Sequence, residues 1–139
     1  MAIETKYKKV VKSGKRKRAV ARAVLTEGKG QIMINDKNYN YLHIFDKLKI
    51  EEPLRIALNV LGEINFNANI EVKGGGDKGQ IEAARLALAK GIVEFTKSEE
   101  LTKAYLEYDR NLLVADVRRK EAYKPGDSKA RSKRQASKR

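Results

Sequence analysis

An α+β domain of two layers, a sheet with helices on one face, is what this sequence predicts, and three observations predict it. Short β-prone segments with period-two alternation occupy the first third and recur at residues 66–72. Longer segments from about residue 51 and from about residue 79 carry apolar residues at helical spacing. Strands and helices are interleaved, and each has one apolar face that must meet another element.

The elements follow in order. Residues 19–26 alternate well enough for a strand, Glu27-Gly28-Lys29-Gly30 signals a turn, and residues 31–35 form a second strand. Together they read as a hairpin. Asn35-Asp36-Lys37 marks another turn, residues 39–42 suit a short third strand, and residues 42–50 are ambiguous, with a helical turn as one reading. Glu51-Glu52-Pro53 looks like a helix start, since acids favour the positive end of the helix dipole and Pro is tolerated in the first turn. Leu54, Ala57, Leu58 and Leu61 then keep helical spacing up to Gly62, which suits the exit. Phe66, Ala68, Ile70 and Val72 alternate with polar residues and predict a strand with one buried face. A helix over 79–97 presents Ile81, Ala84, Leu88, Ile92 and Phe95 on one side. A shorter helix over 98–108 turns Leu101 and Tyr105 inward, and residues 112–115 read as a last strand.

Charge divides the chain more sharply than hydropathy. The net charge is +13. Residues 1–18 carry a net of +7 and residues 117–139 a net of +8, while the segment between them is slightly acidic, at −2. The expected organisation is therefore a basic N-terminal arm (1–13), a globular body (14–116) and an extended basic tail (117–139). In the tail, small residues separate the cations and no apolar periodicity remains, so it has no core of its own. Cationic ends on a near-neutral body suit a polyanion that surrounds the protein, which points to nucleic acid.

Several function classes lose support. There is no Cys and a single His, His43, so thiolate sites, His clusters and a Ser/His/Asp triad lack their parts. No apolar run approaches the roughly 20 residues of a membrane span, and the lysine-rich start has no apolar stretch of a secretory signal. No cofactor and no small-molecule substrate are expected.

The candidate RNA-binding residues form three groups, with Arg110 apart from them. Lys15, Arg16, Lys17 and Arg18 follow Gly14 and lead into the strand at 19–26, where they can meet phosphates. Gly74, Gly75, Gly76, Lys78, Gly79 and Gln80 lie between a buried strand and a helix start, where free N–H groups and the dipole suit a phosphate. The loop lacks the Gly-Lys-Ser/Thr ending of a nucleotide-binding motif, and a tight turn requiring positive φ explains its glycines equally well. Arg118, Arg119, Lys120, Lys124, Lys129, Arg131, Lys133 and Arg134 crowd the tail, where each can neutralise a phosphate and release a counterion. Arg110, after Tyr108-Asp109, suits either an internal ion pair or an RNA contact.

Gly14-Lys15-Arg16-Lys17, Gly74-Gly75-Gly76 through Gly79-Gln80, Ala83-Ala84-Arg85, Tyr108-Asp109-Arg110 and Ser137-Lys138-Arg139 occur in this order. Their ordered combination resembles small-subunit ribosomal protein nine, the universal S-nine family, over about residues 12–139. The Ala-Ala-Arg helix entry, the run from Tyr108 to Val114 and Arg118-Arg119-Lys120-Glu121 look archaeal or eukaryotic-like, whereas the Ser-Lys-Arg ending looks bacterial. The resemblance implies a fold like the second domain of ribosomal protein S-five, with a left-handed β-α-β connection. It implies a structural role in the small ribosomal subunit, in the cytoplasm, on the 3′ major domain of the ribosomal RNA in the head, beside neighbouring head proteins. It further implies that the tail reaches the peptidyl site, so that Ser137, Lys138 and Arg139 approach the bound transfer RNA. Two other readings stand beside it: a small-molecule kinase-like enzyme built on the glycine-rich loop, and a free nucleic-acid-binding protein.

Overall fold

The structure is a computed structural model, and it describes residues 8–123 and 125. Five strands form one sheet: β1 (Lys9–Arg16), β2 (Ala19–Glu27), β3 (Ile32–Ile34), β4 (Lys37–Asn38) and β5 (Phe66–Lys73). Three α-helices, α1 (Ile44–Leu61), α2 (Asp77–Thr96) and α3 (Glu99–Tyr108), complete the body. Short 3-10 turns cover Tyr39–Tyr41 and Arg110–Leu112. The sheet order is β1-β2-β5-β3-β4, and only β3 and β5 run parallel. Helix α2 lies on β1, β2 and β5, while α1 packs beside α2 and against α3. The mixed α+β expectation is met, with one five-stranded sheet and three α-helices.

Small residues set the spacing of the layers. Ala19, Ala21 and Ala23 of β2 and Ala83, Ala84 and Ala87 of α2 are all fully buried. Gly14 on β1 faces the same seam, and a Cβ there would stand 2.5 Å from the Ala83 carbonyl oxygen. The backbones approach too closely for any side chain at that position. Larger residues fill the ends: Leu25, Phe66, Ile70, Leu88 and Ile92 are buried, and Phe66 meets Phe95 edge-on at 5.9 Å. The inward faces expected of β5, α2 and α3 are the buried ones.

Four local expectations are overturned. Residues 19–26 and 31–35 do not form a hairpin, because β2 is flanked by β1 and β5 and β3 lies beyond β5. Asn67 of β5 draws the chain across: its side-chain oxygen accepts from the amides of Lys29, Gly30 and Gln31 at 3.1, 3.2 and 3.0 Å. The real hairpins are β1–β2, through Lys17-Arg18, and β3–β4, through Asn35-Asp36 with φ of 48° and 64°. Residues 39–42 form a 3-10 turn rather than a strand, since Asn38 caps it through Asn40 N at 3.0 Å.

The first helix starts at Ile44 rather than near Glu51, with Pro53 inside it. Pro53 cannot donate a helical bond. It is nevertheless buried, and its carbonyl accepts from the Tyr105 hydroxyl of α3 at 2.8 Å, so tertiary packing holds the helix through that point. Burial pushes the Tyr105 phenol above its ordinary pKa. Glu51 and Glu52 pair with cations instead of marking an N-terminus: Arg55 lies 3.1 Å from Glu51, and Arg85 2.5 Å from Glu52. Residues 112–115 are not a strand. Asp109 caps a 3-10 turn, Leu113 and Val114 donate their amides to the Arg110 carbonyl, and Leu112 plugs the core.

β1 runs through part of the segment read as a basic arm. Its inward face carries Lys12 and Arg16, which pair with Glu94 and Glu82 of α2, and Gly14. Their aliphatic stems cover apolar surface while the charges are matched. Gly14→Ala tests the seam. It should destabilise the body by about 1–3 kcal/mol through overpacking, while Ser13→Ala, exposed on the other face of β1, should be near neutral in urea unfolding.

Candidate nucleic-acid interface

Three segments far apart in sequence meet at one end of the sheet. The β1–β2 turn supplies Arg16, Lys17 and Arg18, the loop before α2 supplies Gly75 and Gly76, and the chain after α3 returns as Arg118, Arg119, Lys120, Glu121, Ala122 and Tyr123. Together they line a groove of about 920 Å³. Six cations face one acid there.

The glycine loop is shaped by packing. Gly74 and Gly75 adopt φ of 78° and 66°. A Cβ on Gly74 would stand 2.8 Å from the Arg18 carbonyl oxygen, and one on Gly75 2.9 Å from the Ala19 nitrogen. The loop is therefore pressed onto the β1–β2 turn, and Gln80 fastens it by donating to the Gly74 carbonyl at 3.1 Å. Gly76 begins α2 with no side-chain cap, beside open space. Its neighbouring amides are free to meet an anion at the positive end of the helix.

Beneath the groove lies an ion-pair network. Arg16 Nε donates to Glu82 at 2.6 Å, and its Nη1 stands 3.3 Å from Asp116 as an ion pair without hydrogen-bond geometry. Asp116 also accepts from Arg118 four times: from the backbone N at 3.0 Å, from Nε at 3.1 and 3.0 Å, and from Nη2 at 2.7 Å. The Asp116 carbonyl accepts from Arg119 at 3.0 Å. Glu82 holds Lys49 at 3.6 Å, and Arg85 bridges Glu52 and Asp109 at 2.5 and 3.3 Å. The side chains of Arg16 and Asp116 are only 14% and 16% exposed, so this root is held against the body. The Arg118 hydrogen bond, above all from its side chain, holds the Asp116 carboxyl well below the usual carboxylate range.

The groove unites some expected residues and leaves others aside. Arg16, Lys17, Arg18, Gly75, Gly76, Arg118, Arg119 and Lys120 converge. Among the described residues, Lys17 and Arg18 have no acidic partner. Lys15 lies over the ion-pair network, and Lys78 pairs with Asp46 at 3.0 Å. Gly74, Gly79 and Gln80 shape the loop without lining the groove. Arg110 is exposed in its 3-10 turn, and Asp109 pairs with Arg85 rather than with it. Lys124, Lys129, Arg131, Lys133, Arg134, Ser137, Lys138 and Arg139 lie outside the described residues. Asp116, Glu82, Arg85 and Tyr123 were not among the expected site residues. An acid just ahead of Arg118-Arg119 was the one available signal. Among the described residues no acid or His cluster suits a metal, and no helix is long and apolar enough to cross a membrane.

A family model described as ribosomal protein S9/S16 matches residues 14–139. The chain is 47% identical over 127 residues to a small ribosomal subunit protein uS9 of Methanococcus vannielii, covering 89% of this chain and 93% of that protein. It is 44% identical over 131 residues to the protein of that name from Methanothrix thermoacetophila, with 94% and 98% covered. The Thermoplasma volcanium protein of that name is 46% identical over 130 residues, with 92% and 96% covered.

The depressed pKa fixes the sign of a pH test. A carboxyl whose folded pKa lies below its unfolded value stabilises the folded arrangement above the unfolded value, and that contribution is lost as pH falls through the folded one. An ordinary aspartate, at about 3.9, is mostly protonated at pH 3. Carboxyl carbon NMR should find Asp116 still ionised there. Titration near 3.9 would mean that the Arg118 pairing is absent in solution.

Proposed function

The chain belongs to the ribosomal protein S9/S16 family, and from that premise we propose that it is a structural constituent of the small ribosomal subunit which binds ribosomal RNA through its cationic groove and tail. Membership in a family of ribosomal proteins makes it a structural protein rather than an enzyme. The observation that carries the RNA reading is the convergence of six cations at one end of an otherwise charge-balanced body. Matched cations elsewhere, such as Arg85 between Glu52 and Asp109, hold the fold, whereas Lys17 and Arg18 are left for an external anion.

Phosphate is the anion of choice. Arginine presents a planar fork to phosphate oxygens, and the open start of α2 adds backbone donors. Such contacts position the protein without reading base sequence. The S9 kinship supports the head of the subunit, on the 3′ major domain, as the binding region, with neighbouring head proteins beside it, in the cytoplasm. It also supports a fold like the second domain of ribosomal protein S-five. The parallel pair β3 and β5, joined through α1, is the unit to which the left-handed connection of that fold applies.

The tail of 117–139 continues from the groove. We carry over to Lys124, Lys129, Arg131, Lys133 and Arg134 the role of phosphate ligands along its path. To Ser137, Lys138 and Arg139 we carry over contact with the peptidyl-site transfer RNA. Because those contacts are to phosphates, every transfer RNA is held alike.

Two measurements check this. With a fragment of head ribosomal RNA, log affinity should fall linearly with log salt. Arg18→Ala or Arg119→Ala should each reduce the slope by about 0.7–0.9, and slopes unchanged by both would place the RNA elsewhere. Deleting Lys138 and Arg139 should leave subunits assembled and weaken transfer RNA in the peptidyl site. Loss of assembly would contradict the division between body and tip.

A further inference from the structure

Phosphate binding leaves the aromatic residue of the groove unused. Tyr123 is 56% exposed, yet it is aromatic and stands in the wall of a cationic groove. Lys120 Nζ sits over its ring, 4.5 Å from the centroid. Among the described residues no second ring meets it, whereas Phe66 and Phe95 satisfy one another in the core. One face of Tyr123 is therefore occupied by a cation and the other has no aromatic partner. In the same lining, Gly75 and Gly76 contribute no side chains, and nothing stands within 4 Å of where a Cβ of Gly76 would be. The groove volume of about 920 Å³ falls within the range of about 300–1,000 Å³ typical of sites that enclose a small organic ligand.

An exposed aromatic ring among arginines and lysines suits a ligand with a flat π-face and a negative charge close to it. A nucleotide has both. Aromatic rings stack on bases whatever their identity, while the cations follow the backbone. A fully paired helix hides its base faces, so the nucleotide must be unpaired, as in a bulge, a loop or a strand junction.

Resting on the RNA reading above, we infer that the groove takes an unstacked nucleotide of RNA, its base against the face of Tyr123 opposite Lys120 and its phosphates among Arg18, Arg119 and Lys120. Lys120 then has two tasks: it polarises the ring from one side and reaches a phosphate beside it. Tyr123 becomes the element that distinguishes unpaired from paired RNA, which the arginines alone cannot do.

The chain contains no Trp, so Tyr123→Trp in the full chain introduces a single indole reporter. Three ligands are titrated: a head ribosomal RNA hairpin with bulged or loop nucleotides, the same stem fully paired and closed by a linker without bases, and inorganic polyphosphate. Binding is followed in parallel by filter retention. The inference expects indole emission to be quenched at binding stoichiometry by the first RNA and unchanged by polyphosphate. Tyr123→Leu should weaken the first RNA by about tenfold, the loss of one stacked base, with little effect on the paired stem. Tyr123→Phe should retain the preference. If the hairpin binds with the emission unchanged, or polyphosphate quenches equally, the stacking inference falls and the RNA reading stands. If no RNA binds, both fall.

Discussion

Arg16 stands between two carboxylates that arrive from different parts of the chain, Glu82 of α2 and Asp116 beyond α3, and the geometry of the groove depends on that position. Arg16 closes the β1 side of the β1–β2 turn. Glu82 fixes that turn to the start of α2, and Asp116 brings the emerging tail back over both. Asp116 in turn orients Arg118 with a bidentate grip and Arg119 through its carbonyl. Internal acids thus orient the cations at the root, while Lys17 and Arg18 have no acid partner among the described residues. Exposed ion pairs add little to stability, but here Arg16 and Asp116 are mostly covered. Removing either carboxylate would leave the poorly hydrated Arg16 guanidinium with one counter-charge in place of two.

The same arrangement answers a problem of charge. A net of +13 on 139 residues would burden a body that carried it evenly. Within the fold, several cations are matched by acids: Lys12 with Glu94, Lys49 with Glu82, Lys78 with Asp46 and Arg85 with Glu52 and Asp109. The alanine seam and Gly14 let α2 lie directly on the sheet, and this brings Glu82 and Glu94 within reach of the side chains of β1. Packing of small residues and placement of charge are one design: a bulkier residue at Gly14 would push apart the helix and the strand whose ion pairs hold the groove.

Much of this was legible in the sequence, and the failures have physical causes. β5, α2 and α3 were readable because their inward faces are filled by Phe66, Ile70, Leu88, Ile92 and Tyr105, which write their period plainly. β1 was not, because its inward face is made of Val10, Lys12, Gly14 and Arg16, and a strand filled with lysine and arginine stems reads as an arm. The hairpin from β2 to β3 failed because turn chemistry cannot reveal that Asn67, in sequence a polar outward residue of a later strand, collects three amides and carries the chain across β5. The start of α1 was misplaced because Pro53 resembles a first-turn residue until its burial against Tyr105 is known. Of the site, the cationic segments were evident from composition. Their convergence was not, and neither was Asp116, whose importance lies in contacts with Arg16, about a hundred residues away.

The proposed function requires that the groove face of the body, and not α3, meets the ribosomal RNA. Lysine acetylation of the free protein and of the assembled small subunit, compared by mass spectrometry, tests this most directly. Lys17 and Lys120 should lose reactivity on assembly far more than Lys103, which is exposed on α3. Undiminished reactivity at Lys17 and Lys120, with protection at Lys103 instead, would contradict it.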